Sequence, residues 1–177
     1  MTKILVAGLG NIFQGDDAFG VEVAQRLIGR PQPDGVTVVD FGIRGLDLTY
    51  ALMDGYDAAI LIDAAQRGHP PGTVSVVEPE GRAARDLEPG DLMIYSPMIS
   101  GHDLDPAKVL EVVAALGGAC GRIVLVACEP LDCGGEDGAM GLSGPVTAAI
   151  EPAVATVEGL IRELSRRPGR STRRRVS

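Results

Sequence analysis

With 177 residues, 45% of them apolar and 23% charged, the chain has the size and composition of one globular domain with a continuous core. The net charge of −8 is unevenly spread: Ser165 to Ser177 carries six arginines and no acid, which leaves ten basic against 24 acidic residues, or −14, on the body. A body that acidic repels phosphate backbones, which argues against nucleic-acid binding as its main role, and no apolar run approaches the ~20 residues of a membrane-spanning helix.

Ile4 to Ala7 reads as a buried strand, broken by Gly8-Leu9-Gly10. A helix is expected from about Asp17, with Ala18, Val21, Ala24 and Ile28 on one face and Asp16 as its cap. Val36 to Val39 is a second strand ending at Asp40, Leu46 to Met53 a short helix stopped by Gly55, and Ala58 to Ile62 a third strand ending at Asp63. The turn Pro70-Pro71-Gly72 leads into a weakly alternating strand, Thr73 to Val77, expected at an edge. Glu78 to Asp91 is charged and loop-like, Leu92 to Tyr95 is briefly apolar, and Ser96 to Asp105 is polar again. Asp105-Pro106 opens a helix with Val109, Val112, Val113 and Leu116 as its stripe and Gly117-Gly118 as its end.

Ile123 to Ala127 is the next strand, followed by a glycine-rich loop, Cys133 to Gly144, too long for a simple turn. The last helical region starts at Pro145, keeps Val146, Ile150, Val154, Val157, Ile161 and Leu164 at helical spacing, and is expected to kink or split at Pro152. Apolar strands alternating with helices predict an α/β fold with a mostly parallel sheet covered on both faces. The arginine tail, 165–177, is expected to be a disordered, solvated end.

Sheets of this kind bind ligands beyond the carboxyl ends of their strands, which singles out Gly8 to Gly20, Asp40 and Asp63. A dinucleotide fingerprint built on Gly8-Leu9-Gly10 and Asp40 fits poorly, because Phe13 stands where a third glycine is needed. Asp16 and Asp17 would also put two negative charges where a pyrophosphate rests. The pair suits a helix start, and with Asp63 it could equally converge on a cation. Of the two histidines, His69 lies in the Pro-Pro-Gly turn and His102 in the loop Ser100-Gly101-His102-Asp103, so His102 is the candidate nitrogen ligand. Cys128 and Cys133 could pass for half a zinc site, but without a second pair they read as small buried hydrophobes.

Three cysteines and no secretory leader after Met1 predict a cytoplasmic protein without a disulfide framework. Aromatic residues at 3%, with no Trp, leave little for stacking on bases or sugars. The zinc-helix, serine-elbow and phosphate-loop motifs are all missing. Composition and spacing therefore lead to an α/β domain with a candidate carboxylate and imidazole metal site.

The stretch Gly8-Leu9-Gly10-Asn11-Ile12-Phe13-Gln14-Gly15-Asp16-Asp17-Ala18-Phe19-Gly20 resembles the opening signature of the nickel-iron hydrogenase maturation endopeptidases. Asp40-Phe41-Gly42, Ile60-Leu61-Ile62-Asp63-Ala64 and Ser100-Gly101-His102 are similar to that family's second strand end, third strand end and histidine loop. Gly141-Leu142-Ser143 and the helix with Glu151-Pro152 are similar to its C-terminal region, so the resemblance runs to about Leu164. Ala18 departs from the glycine that many members have there, a matter of local backbone shape. Glu78 to Asp91 and the arginine tail have no counterpart.

The resemblance implies a three-layer α/β/α sandwich around a mostly parallel twisted sheet over residues 1–164, with 165–177 as a basic tail. It implies an endopeptidase that removes the C-terminal extension of a hydrogenase large-subunit precursor once nickel is inserted. Asp17, Asp63 and His102 would be the catalytic and metal-binding set, with Asp17 and Asp63 also able to work as an acid and base pair in the manner of aspartic proteases. Gly8, Gly10, Asn11, Asp16 and Asp40 would support them, Asp16 by capping and shaping the loop. Nickel would arrive with the substrate subunit, with no organic cofactor, no nucleic acid and no membrane insertion. The alternatives are a non-cleaving metal-dependent chaperone of the large subunit and, less favoured, a dinucleotide-binding domain.

Overall fold

The computed structural model describes residues 1–78, 113, 120–135 and 137–166. Its strands are β1 (Ile4–Leu9), β2 (Val36–Gly42), β3 (Ala58–Ala64), β4 (Val74–Val77) and β5 (Arg122–Cys128); its helices are α1 (Phe19–Ile28), α2 (Gly45–Met53) and α3 (Gly144–Arg166). The strands form one sheet in the order β2-β1-β3-β5-β4. The β1–β2, β1–β3 and β3–β5 pairs are parallel, and β4 closes the sheet antiparallel to β5. That reversal comes from the connection: the chain leaves β3 and crosses the carboxyl end of β5, where Ala65 N–H donates to Cys128 O and Gly72 N–H to Glu129 O. It enters β4 at the same end of the sheet and must run back down it.

Alternation along the strands sorts the core into two layers. Ile4, Val6, Ile60, Ile62 and Val126 point to one face and pack with Phe19, Val23 and Leu27 of α1 and with Val146, Ile150, Val157 and Ile161 of α3. Leu5, Ala7, Leu61, Ile123 and Leu125 point to the other face and meet Leu48 and Leu52 of α2 together with Val113. The result is the α/β/α arrangement expected from the alternation of strands and helices. Each fully buried Leu, Ile or Phe stabilises it by roughly 1.5–3 kcal/mol. The exposed ion pairs joining α1 to α3, Arg26 with Glu151 and Arg30 with Glu151 and Glu158, add little beside that.

Three local expectations change. The first helix begins as a 3-10 turn, Gly15–Ala18, and becomes α-helical at Phe19. Its buried side is centred on Phe19, Val23 and Leu27, so Ile28 turns outward and is half exposed. Pro152 does not split the last helix: α3 runs through it from Gly144 to Arg166. Pro152 and Ala148 both face solvent, so the Ala148 carbonyl left without its helical donor has water within reach. The expected loop from Glu78 to Asp91 beyond Glu78 itself, the stretches from Leu92 to Tyr95 and Ser96 to Asp105, and the helix from Asp105 to Gly118 lie outside the described residues apart from Val113, which is helical and buried; so does the basic tail beyond Arg166, while Ser165 and Arg166 continue α3.

The first turn of α1 sits directly on the strand ends. A Cβ on Gly20 would lie 2.0 Å from Ile62 O and 2.3 Å from Leu9 O, both of them backbone atoms that cannot give way. Only hydrogen in place of a side chain lets α1 approach β1 and β3 this closely. The same contact brings the acidic turn preceding Phe19 up to Asp63, the residue after Ile62. Gly20→Ala is therefore expected to cost at least about 2 kcal/mol through overpacking. Urea unfolding of the variant beside the wild type checks this, and a change below about 0.5 kcal/mol would contradict the packing argument.

Candidate functional site

The loops leaving β1, β3 and β5 meet at the carboxyl ends of the parallel strands. After β1, Gly10 has φ +129, and a Cβ there would fall 1.7 Å from Asp17 O, so the loop folds back on the acidic turn only with glycine at this place. Asn11 shapes the turn beyond it: its side-chain Oδ1 accepts Phe13 N–H at 2.9 Å and its carbonyl accepts Gln14 N–H at 3.0 Å. Its own N–H donates to Asp17 Oδ2 at 2.8 Å.

The two neighbouring aspartates point to different tasks. Asp16 does not cap the helix, as the sequence suggested; no side-chain bond to the helix start is formed. Its carboxylate is fully buried and reaches across to the loop after β5. Oδ2 accepts Leu131 N–H at 2.8 Å, Asp132 N–H at 2.9 Å and the Ser143 hydroxyl at 2.8 Å, while Oδ1 accepts Ser143 N–H at 2.7 Å. Burial works to raise the Asp16 pKa, but the bonds from Asp132, Ser143 and Leu131 outweigh it and hold the carboxyl below its ordinary range.

Asp17 and Asp63 are 5% and 6% exposed, so both are nearly withdrawn from solvent. Asp63 Oδ1 accepts the N–H of Ala64 at 2.9 Å. Cys133 registers both: burial first, then the charges of Asp17, Asp16, Asp132 and Asp63, push its thiol up to about 11. Burial likewise pushes Cys128 up to about 12 and Cys120 up to about 11. All three cysteines are free thiols, protonated at neutral pH, and poorly suited as nucleophiles. Cys128 is buried as expected, whereas Cys133 is only half-buried. The Ser143 hydroxyl donates to the Asp16 carboxylate.

The remaining sequence candidates fall into place around this centre. Gly8 packs under α1, where a Cβ would sit 2.4 Å from Gly20 O. Asp40 is opposite Gly8 in the sheet, just before a register shift, and its Oδ2 accepts Gln25 Nε2 at 2.9 Å. That bond ties β2 to α1 and leaves Asp40 in a supporting position. His69 is exposed. His102 lies outside the described residues. Among the described residues no three His, Cys, Asp or Glu side chains gather closely enough to hold a metal ion. Asp17 and Asp63 could contribute oxygen donors to a cation whose other ligands come from elsewhere.

Sequence reasoning passed over Glu129. It comes directly after β5, is 8% exposed, and accepts Arg67 N–H at 2.8 Å and Gly68 N–H at 3.3 Å. Burial raises its pKa, but the N–H groups of Arg67, His69 and Gly68 more than offset this and keep the carboxyl low. It anchors the loop that leaves β3 after Asp63. The signal was available, since an acid right after an apolar strand is what drew attention to Asp63.

Comparison with known proteins places this geometry. The family described as hydrogenase maturation protease matches residues 21–160. The hydrogenase expression/formation protein HupM of Azotobacter chroococcum is 34% identical over 162 residues, covering 91% of this chain and 72% of its own. The hydrogenase 2 maturation protease of Escherichia coli is 32% identical over 163 residues, covering 91% and 92%. The solved structure of the hydrogenase maturating endopeptidase HybD from E. coli superposes with a TM-score of 0.69 at 28% identity, covering 92% of this chain and 93% of that one.

Asp16→Asn must turn an amide N–H₂ toward at least one donor of the 131–143 loop, and is expected to cost about 2–4 kcal/mol. Because the folded pKa is lowered, the wild type's advantage is complete above the unfolded carboxyl value of about 4 and is lost as pH falls through the folded value. Thermal unfolding of both proteins between pH 7 and pH 2, on the order of one point per unit, checks the size and the acid-side convergence. A pH-independent gap would contradict it.

Proposed function

Since this chain belongs to the hydrogenase maturation protease family, we propose that it removes the C-terminal extension of a nickel-iron hydrogenase large-subunit precursor in the cytoplasm, after nickel has been inserted. The reading is supported above all by two nearly buried carboxylates, Asp63 near the end of β3 and Asp17 in the turn that follows β1, the strand paired with β3. Asp17, Asp63 and His102 would engage the nickel that the precursor carries, and through it set the scissile peptide in place. Nickel held there would add Lewis-acid polarisation of a carbonyl.

The two carboxyl groups can also share the proton work of hydrolysis. Water adds to the scissile carbonyl carbon; one carboxylate accepts its proton, the other carboxyl donates one to the leaving nitrogen, and the C–N bond breaks. The surrounding hydrogen bonds serve this division. Asp16 and Glu129 accept N–H groups of the loops after β5 and β3 and hold the walls of the site, while Asp17 and Asp63 are the acids proposed for the chemistry.

The test is the intact mass of nickel-loaded and nickel-free precursor after incubation with the protein. Loss of the C-terminal fragment is expected from the nickel-loaded form only. Asp17→Asn, Asp63→Asn and His102→Ala are each expected to slow cleavage by on the order of 100-fold or more. Equal processing of both precursor forms would remove nickel from the reading, and binding without any change of mass would favour the chaperone alternative.

A further inference from the structure

Two loops that meet beside Asp17 hold large apolar side chains out in solvent. Phe13 is 60% exposed in the loop after β1, and Met140 is 76% exposed in the loop after β5. Ile12 and Leu131, one in each loop, are also exposed. Between the loops lies an open groove lined by Phe13, Gln14, Asp137, Gly138, Ala139 and Met140. Large apolar side chains held exposed together at a groove with polar lining mark a surface suited to contact with another molecule.

The groove is preformed. Gly15 N–H donates to Ala139 O at 2.8 Å and Ala139 N–H to Phe13 O at 3.0 Å, a short parallel bridge that locks the two loops together. Gly138 has φ +70, and a Cβ there would come within 2.8 Å of Phe13 O, so the loops can be this close only with glycine at that point. A rigid groove loses little freedom on binding. It is also continuous with the candidate active site, because Asp17 N–H donates to the carbonyl of Gln14, a residue of the groove wall.

Charge identifies the occupant. Neither Ile4 to Gln25 nor Ile123 to Ile161, the segments that supply both loops, contains a lysine, arginine or histidine. Asp137 is exposed in the groove lining, Asp132 is exposed in the same loop, and Asp16 and Asp17 are buried in the turn that follows Gln14. An apolar surface in a field of one sign is complemented by a chain with apolar side chains and positive charge.

We infer that this groove receives the part of the precursor next to the scissile bond and selects a segment that combines apolar side chains with lysine or arginine. The inference rests on the protease reading for the identity of the partner. Phe13 and Met140 supply the apolar contact, and Asp137 with Asp132 the attraction.

The experiment measures binding of the nickel-loaded precursor to the full-length protein at low and high salt, together with cleavage kinetics and precursor mass. Asp137→Lys is expected to weaken binding about tenfold at low salt and to flatten its salt dependence. The double variant Phe13→Ala and Met140→Ala is expected to weaken it about tenfold at both salts. Tyr50→Ala, on the exposed side of α2, is expected to change neither. At saturating precursor all are expected to cut within about twofold of the wild-type rate, so the effect falls on KM. Wild-type affinity in both groove variants, with cleavage intact, overturns the groove and leaves the protease reading standing. Weakened binding in those variants without cleavage by any form of the protein supports the groove and overturns the protease reading.

Discussion

The Asp16 carboxylate collects four hydrogen bonds from residues 115 to 127 positions further along the chain, and the site takes its shape from that attachment. Without a charge at this point, three backbone N–H groups and a hydroxyl of the glycine-rich loop would be buried with weaker partners or none. A carboxylate is the one side chain that can accept all of them, and the bonds in turn keep it ionised. The acid therefore acts as a fastener between the start of the fold and its last loop, and it brings Ala139 alongside Phe13 and Gln14.

Glu129 repeats the device on the other side of the sheet, closing the loop after β3 onto the end of β5. Four buried or nearly buried acids thus sort by what they face. Asp16 and Glu129 bind N–H groups of segments far along the chain and stabilise the walls, whereas Asp17 and Asp63 accept the nearby N–H groups of Asn11 and Ala64. Gly20 makes this sorting possible, since the turn carrying both aspartates could not otherwise descend onto Leu9 and Ile62. A single added methyl at Gly20 would push against backbone rather than against a movable side chain.

Concentrating acids at one end of the sheet has a second effect. The loops after β1 and β5 contain no base, so the surface they share is negative as well as apolar, and the same field discourages ionisation of Cys133. Burial and this field together keep the Cys133 thiol protonated at neutral pH. The field also gives the site a preference among partners before any contact is made.

Much of this was legible in the residues. The buried strands, the order of strands and helices and the edge position of Val74–Val77 could be read from apolar runs, because burial on two faces leaves a local pattern. Asp63 and the acidic pair were legible for a similar reason, being polar residues where apolar strands stop. What the pattern misplaced was Asp16 as a helix cap and Ile28 as a buried residue; of the two outcomes expected at Pro152, a kink or a split, the split does not occur, and Glu129 was passed over. For Asp16, Glu129 and Ile28 the deciding contact comes from far along the chain or from the side of a helix that a partner element covers; at Pro152 it is the solvent beside Ala148. Local sequence thus determined which segments are strands and helices and which acids lie at their ends. Only the tertiary structure decided which acid fastens a distant loop and which bonds within its own segment, because a carboxylate's role depends on the donors around it, and distant donors are brought there by the fold.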